Sequence, residues 1–191
     1  MKKPLLLALD IGNVCVHINH LNCVEKLGYT EIPDELRNVA LAYECGRCSE
    51  NDFFAELHSM FNGRFSVSEI KNAFDSILIK PVPGMDELVS SFAGSGIKAV
   101  FFSDISPTHL RRTREIFPAA KFVPDGIYSF ESGALKPSRI MFERFEQLFG
   151  KPDLYTDDRE ELIAGAKDFG WNAVQFTDAE LLKSQLMKLR D

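Results

Sequence analysis

Short, continuously hydrophobic runs alternate with segments of helical periodicity along most of the chain. Five such runs predict β-strands that are covered on both faces, at residues 4–9, 97–103, 126–130, 153–156 and 172–176. Between them, apolar residues spaced three and four positions apart predict helices at residues 84–94, 107–117, 137–149 and 160–169. Strands that alternate with helices in this way indicate an α/β fold with a Rossmann-like, doubly wound parallel sheet.

Residues 15–80 follow a different pattern, with four helical segments and no strand between them. The segments are residues 20–27, 34–43, 50–61 and 68–79. Two of them follow a serine with an acidic residue three positions later, at Ser49 and Ser66, which is a typical helix start. Residues 80–84, with the sequence KPVPG, predict a stiff linker. We therefore predict a core of residues 1–14 and 81–191, with residues 15–80 inserted after the first strand as a helical cap.

Composition narrows the function classes. Of the 191 residues, 45% are hydrophobic and 26% charged, which is typical of a globular protein. A net charge of −6 argues against nucleic acid as a partner. No apolar run approaches the roughly 20 residues of a membrane span, so we expect no membrane partner. The N-terminal run LLLAL is short and ends at Asp10, which favours a strand over a signal peptide.

The four cysteines are too few for a disulfide scaffold of this length. They are Cys15, Cys23, Cys45 and Cys48. Reduced thiols in a cytoplasmic protein are the expected state. Cys45 and Cys48 form a CxxC pair, for which a zinc site or a redox dithiol is the alternative interpretation. Oligomeric state has no signal in the sequence.

Polar side chains stand where the predicted strands end. Asp10 follows the first strand, Ser103 closes the second, and Asp157–Asp158 follow a later one, while Lys136 lies in a loop before a helix. Binding sites of open α/β sheets lie outside the carboxyl ends of the strands. A carboxylate, a hydroxyl, an ammonium and an acidic pair suit phosphoryl transfer. Adjacent carboxylates repel each other unless a cation is near, and oxygen ligands without a histidine cluster favour Mg²⁺.

Each of these groups has a candidate role. Asp10 can ligate a hard cation and attack phosphorus, and Gly12 allows the backbone to offer a carbonyl oxygen to the same cation. A lysine can stabilise the nucleophile and the phosphoryl oxygens as a point charge. Four residues are predicted to contact phosphate. They are Ser103 through its hydroxyl, Asp104 directly after it, Asn13 through its amide and Lys136 through its charge.

The order aspartate, serine, lysine–proline and acidic pair, with a helical insert after the first motif, resembles the haloacid dehalogenase-like (HAD) hydrolase superfamily. The DIGNV form of the first motif is similar to that of sugar-phosphate phosphatases such as the glucose-1-phosphate phosphatases, and to that of the phosphatase domain of soluble epoxide hydrolases. The resemblance covers essentially the whole chain. It implies a magnesium-dependent phosphatase that acts on a small phosphorylated metabolite, with a sugar phosphate as the expected substrate.

The resemblance also implies roles for individual residues. Asp10 would be the nucleophile and a metal ligand, and Gly12 would ligate through its carbonyl. Asp158 would be the second carboxylate ligand, with Asp157 beside it. Ser103 would bind phosphate, Lys136 would be the charge clamp, and the helical insert would close over the substrate.

Two positions depart from the family pattern. Gly12 stands where most of these phosphatases carry an aspartate that acts as general acid and base, a group that typically contributes about 10²–10⁴ in rate. An acidic leaving group, or a surrogate acid such as His17, is the expected compensation. Leu162 stands where related sequences place Asp or Asn, with Glu160 or Glu161 as substitutes. The alternatives are a catalytically silent phosphate-binding protein and a 2-haloacid dehalogenase that uses Asp10 on carbon.

Overall fold

The computed structural model describes residues 4–190. Residues 1–3 and 191, which form the ends of the predicted core segments, lie outside the described residues. The strands are β1 (Leu5–Leu9), β2 (Val16–Ile18), β3 (Leu78–Pro81), β4 (Ile97–Ser103), β5 (Gly126–Tyr128), β6 (Leu154–Asp157) and β7 (Ala173–Gln175).

Ten α-helices lie within the described part of the chain. They are α1 (Leu21–Lys26), α2 (Asp34–Glu44), α3 (Glu50–Met60), α4 (Val67–Asp75), α5 (Met85–Ser90), α6 (Pro107–Ile116), α7 (Ser129–Ser132), α8 (Arg139–Phe149), α9 (Glu160–Phe169) and α10 (Ala179–Lys188). A short 3₁₀ helix spans Pro118–Phe122. Within residues 4–190, every helix is too short or too polar to cross a membrane.

The central sheet has five strands in the order β5-β4-β1-β6-β7. All neighbouring pairs are parallel, and Leu9 at the end of β1 is level with Phe101 of β4 and Thr156 of β6. The three central strands therefore end side by side. All five predicted strands are present, and the predicted parallel α/β fold is confirmed.

Both faces of the sheet are buried. Leu5, Leu7 and Leu9 belong to one hydrophobic cluster, whereas Leu6 and Ala8 belong to another. Helices α5, α6 and α10 contribute to the first cluster, and α8 and α9 contribute to the second. Because side chains alternate across a strand, this division shows that helices cover the sheet on both sides.

Helices α1–α4 form the insert between the first strand and the rest of the sheet. Ser49 and Ser66 begin α3 and α4 with complete capping boxes, as their sequence pattern predicts. The insert contacts α6 of the core: the Tyr43 hydroxyl lies 2.7 Å from Thr108 Oγ1. The Phe74 ring stacks on His109 with ring centroids 4.0 Å apart. These contacts hold the insert against the core beside the carboxyl ends of the strands.

Two predictions about local structure are wrong. Residues 15–80 were expected to hold no strand, but Val16–Ile18 form β2. Residues 78–81, expected to end a helix and begin a linker, form β3, which pairs with β2 in an antiparallel ribbon. This strand exists because its partner comes from about sixty residues earlier, a contact that the local pattern does not contain. Helix α8 begins at Arg139, not at residue 137, since Pro137 and Ser138 belong to the turn before it.

Candidate active site

Asp10 lies at the centre of the edge formed by the ends of β1, β4 and β6. Its backbone N–H donates to Thr156 O at 3.2 Å, which continues the β1–β6 pairing by one residue. Only 6% of the residue is exposed. Parallel pairing brings Ser103 and Asp157, the last residues of the two neighbouring strands, to either side of it. The sheet register therefore assembles three of the predicted site residues.

The Lys136 ammonium connects the two sides of this edge. Its Nζ donates to Asp10 Oδ1 at 2.7 Å, to Asp157 Oδ2 at 2.5 Å and to Phe102 O at 3.0 Å. The Lys136 side chain is fully buried. All three N–H groups of the ammonium therefore donate to acceptors of the protein, and none is left for a further partner.

Asp157 is held by protein groups on both of its oxygens. Oδ2 accepts from Lys136 and from the Tyr155 hydroxyl at 2.6 Å, and Oδ1 accepts from the Arg159 N–H at 3.0 Å. Burial opposes its ionisation, but Lys136 and these hydrogen bonds outweigh burial and hold the pKa of Asp157 below its usual range. Asp157 is therefore an ionised partner of the lysine.

Negative charge is in excess around Asp10. Burial raises the pKa of Asp10 to about 7, and repulsion from Asp157 adds to the rise, while Lys136 and Ser103 oppose it. Burial lowers the pKa of Lys136, but the carboxylates around it outweigh burial and place it well above its usual range. One buried ammonium faces several carboxylates, so a further cation would favour the ionised form of Asp10.

The carboxylates fit a divalent cation. Oxygens of Asp10, Asp157 and Asp158 lie within 4.8 Å of one another, and no other group of three or more such side chains was found in residues 4–190. Asp157 is already saturated by hydrogen bonds, which leaves Asp10 and the half-buried Asp158 as the more available donors. Burial and the neighbouring Asp157 raise the pKa of Asp158, as expected where like charges gather. Hard oxygen donors of this kind match Mg²⁺. By contrast, all four cysteines are free thiols.

Asn13 connects three parts of the site. Its backbone has φ of 51°, a left-handed conformation that Asn tolerates. Its amide Nδ2 donates to Asp158 Oδ2 at 3.1 Å, and its Oδ1 accepts from the Ile18 N–H of β2 at 3.1 Å. Both ends of the predicted phosphate-binding amide are therefore engaged in positioning Asp158 and the ribbon.

Asp104 is also engaged with the protein. Its Oδ1 accepts from the Lys136 N–H at 2.9 Å, and its Oδ2 accepts from Arg159 Nη2 at 3.1 Å. The side chain of Asp104 therefore holds the loop of Lys136 in place. Only the backbone of Asp104 remains for the phosphate contact predicted at this position. Ser103, whose hydroxyl lowers the pKa of Asp10, is buried beside it.

A cavity of about 500 Å³ opens above these residues, between the core and the helical insert. The core side contributes Asp10, Gly12, Ser103 and Asp158 among its lining residues. His17, the predicted surrogate acid, is not among the lining residues described; it pairs with Lys80 in the β2–β3 ribbon. Its neighbour Ile18 lines the cavity, as expected for alternate residues of a strand.

Glu160, Glu161 and Leu162 do not line the cavity either. Leu162 is buried in the core, and the two glutamates are exposed in the first turn of α9. The acidic loop therefore consists of Asp157 and Asp158 in this structure.

Sequence reasoning gave no role in the site to six polar residues that line the cavity: Asn19, His20, Glu44, His109, Thr113 and Arg159. Burial raises the pKa of Glu44 to about 7, helped by Asp104 and opposed by Arg159. Arg159 directly follows the acidic pair, and that adjacency could have identified it. Glu44 ends a helix of the insert, and nothing in its local sequence distinguishes it from a solvated glutamate.

No protein-family model matches the sequence, and no curated protein sequence matches it. Solved structures, however, share its fold. A HAD family enzyme from Bacteroides thetaiotaomicron, solved in complex with magnesium and inorganic phosphate, has a TM-score of 0.79 and 18% identity, and the match covers 92% of this chain and 95% of that one. A predicted HAD-like family hydrolase from Porphyromonas gingivalis has a TM-score of 0.81 and 19% identity over 98% of each chain.

The similarity extends to a structure with different chemistry. An L-2-haloacid dehalogenase from Xanthobacter autotrophicus, with chloropropionic acid covalently bound, has a TM-score of 0.63 and 16% identity, over 98% of this chain and 83% of that one. At such identities the likeness establishes the fold alone. This chain has the α/β fold of the HAD-type hydrolases.

Proposed function

We propose that this protein is a magnesium-dependent phosphatase that acts on a small phosphorylated metabolite through an aspartyl-phosphate on Asp10. The observation that carries the proposal is the buried Lys136, which hydrogen-bonds both Asp10 and Asp157. A buried lysine that joins the ends of β1 and β6 orients the nucleophile, and its charge lies close to the phosphorus that Asp10 would attack. The magnesium and phosphate bound to the Bacteroides enzyme of the same fold are consistent with this chemistry.

In the first step, a carboxylate oxygen of Asp10 attacks phosphorus in line, and the bond from phosphorus to the ester oxygen breaks. The ester oxygen leaves as an alkoxide and takes up a proton from solvent water, because Gly12 carries no acidic side chain. In the second step, water attacks the phosphorus of the aspartyl-phosphate, which releases inorganic phosphate and regenerates the carboxylate. Lys136 holds the nucleophile Asp10 in place throughout, and Ser103 beside it is the proposed contact to the phosphoryl oxygens.

Asp10, Asp158 and the carbonyl of Gly12 are the proposed magnesium ligands, with Asp157 beside them. When bound, the ion would offset the negative charge of the phosphoryl group and of these carboxylates. Ser103 and the backbone at Asp104 are the proposed phosphate contacts. Asn13 is proposed to position Asp158 and β2 and not to contact phosphate, because both ends of its amide are used by these two partners.

The proposal is tested with p-nitrophenyl phosphate in the presence and absence of Mg²⁺. Wild type should turn over only with the metal, and Asp10→Asn should lose turnover. Asp168→Asn, an exposed aspartate of α9, is the matched control and should behave as wild type. A panel that includes sugar phosphates extends the test to the predicted substrate class. Metal-independent turnover, or equal rates for wild type and Asp10→Asn, would contradict the proposal.

A second candidate, a catalytically silent phosphate-binding protein, is favoured by one specific observation. Neither Gly12 nor Leu162 supplies the carboxylate or amide expected at its position, and the structure buries Leu162 in the core. Tight binding of inorganic phosphate in the presence of Mg²⁺, with no turnover of any ester, would support this candidate over the phosphatase.

A further inference from the structure

A second cavity, of about 330 Å³, lies within the helical insert and adjoins the first one. Four residues line both cavities: His20, Glu44, Ile77 and Arg159. Both volumes lie in the range of small-molecule sites, roughly 300–1,000 Å³. The second cavity therefore offers space, next to the phosphoryl site, for the rest of a substrate.

The lining of this second cavity is apolar. Eleven of its fifteen lining residues are apolar, and they include Val24, Leu27, Leu36, Phe53, Leu57 and Phe74. Three of the four polar lining residues stand at the junction with the first cavity, so among the described residues only Arg37 adds a polar side chain deeper in the insert. A group with many hydroxyls would find few hydrogen-bond partners there.

Several polar side chains of the first cavity already hydrogen-bond other groups of the protein. Asn19 donates to Asn22 and accepts from the Leu21 N–H, and Asn13 and Asp104 are engaged as described above. His109 is bound to Phe74 O at 3.1 Å. The other polar groups that line this cavity are the Thr113 hydroxyl, which has no hydrogen-bond partner among residues 4–190, and the side chains of His20, Glu44 and Arg159 at the junction. Hydroxyls of a substrate can be hydrogen-bonded at that junction but not in the apolar part of the insert, where buried hydroxyls without partners weaken binding.

We infer that the substrate is a phosphate monoester of an aromatic alcohol, whose ring occupies the apolar cavity of the insert. This inference rests on the proposed phosphatase function. Phe53 and Phe74 present aromatic surface to the cavity, with which a flat ring can pack. A phenolic leaving group also departs with less help from a proton donor, which suits a site that has Gly12 in place of the usual acid.

The test compares two esters whose leaving groups have the same chemistry. Benzyl phosphate and glucose 6-phosphate are both phosphates of primary alcohols, so they differ mainly in the body that the protein must bind. We expect kcat/KM for benzyl phosphate to exceed that for glucose 6-phosphate by about 10- to 100-fold, the effect of burying an apolar group in a matching pocket. Calorimetric titration of Asp10→Asn with both esters measures the same preference without turnover.

A second experiment fills the apolar cavity of the insert with a larger side chain. Ala40 of α2 lines the second cavity, so Ala40→Phe should lower kcat/KM for benzyl phosphate about tenfold or more, and by a much larger factor than kcat/KM for acetyl phosphate, which has no ring. Ala55→Phe, on the exposed face of α3, is the matched control. Thermal unfolding establishes that both variants fold, and the wild-type comparison stands without them.

The outcomes separate this inference from the proposed function. Turnover of p-nitrophenyl phosphate together with equal or higher kcat/KM for glucose 6-phosphate would overturn the aromatic preference and leave the phosphatase intact. Absence of all turnover would contradict the phosphatase, and the titration of Asp10→Asn would then decide the ligand preference. Equal binding of the two esters in that titration would overturn the inference.

Discussion

Replacing Lys136 with methionine tests the charge balance of the site. Methionine fills the same path between the rings of Phe102 and Tyr155, which lie 5.5 and 5.7 Å from Nζ, but it carries no charge. The substitution removes the hydrogen bonds to Asp10 at 2.7 Å and to Asp157 at 2.5 Å, both buried. Breaking a buried ion pair by removing one partner costs about 3–5 kcal/mol, so we expect a loss of that size at pH 8.

The loss should depend on pH. The pKa of Asp10, already about 7, rises further without the lysine and therefore lies above its unfolded value. Such a group contributes stability below its unfolded pKa and loses it as the pH rises through the folded pKa. At pH 5 Asp10 is protonated, and we expect about half of the penalty to disappear. Urea unfolding of wild type and Lys136→Met at pH 5 and pH 8 measures both values.

Lys167→Met is the control, because Lys167 is an exposed lysine of α9. It should change the free energy of unfolding by less than about 0.5 kcal/mol. A loss below about 1 kcal/mol for Lys136→Met at pH 8, or the same loss at both pH values, would refute the account of a lysine that compensates two buried carboxylates.

Two further predictions concern the acid–base groups of the cavity. A Cβ at position 12 would lie 3.1 Å from the flexible tip of Ile18 and 3.9 Å from Asp10 Oδ2, so Gly12→Asp fits after a small side-chain shift. We expect Gly12→Asp to raise kcat on alkyl phosphates by up to about 10²-fold and to change kcat on aryl phosphates little. Equal effects of Gly12→Asp and Gly12→Asn on kcat would argue against proton donation by the new side chain. Because the folded pKa of Glu44 is about 7, wild type loses stability as the pH rises through 7, and Glu44→Gln should be more stable by about 1–2 kcal/mol at pH 8 and unchanged at pH 4. Chemical unfolding checks this, and the absence of a gain at pH 8 would contradict it.

The sheet was predictable because its strands are buried on both faces and therefore read as continuous apolar runs. Asp10, Ser103 and Asp157 were predictable as neighbours too, since each lies at the carboxyl end of a strand and parallel strands end at the same edge of a sheet. The β2–β3 ribbon was not predictable, since three or four residues give no clear periodicity and Ile18 pairs with a residue sixty positions away. Glu44 was missed for a related reason: its environment consists of Asp104 and Arg159, which are distant in sequence.

The two side-chain hydrogen bonds of Asn13 restrict which residues can replace it. The side chain must donate to a carboxylate and accept from a backbone N–H at the same time, in a left-handed backbone conformation. Aspartate tolerates that backbone but has no proton to donate when ionised, and glycine tolerates it but offers neither group. Saturation mutagenesis should therefore find that Asn13, although asparagine is common in turns, tolerates fewer substitutions than most positions in the chain.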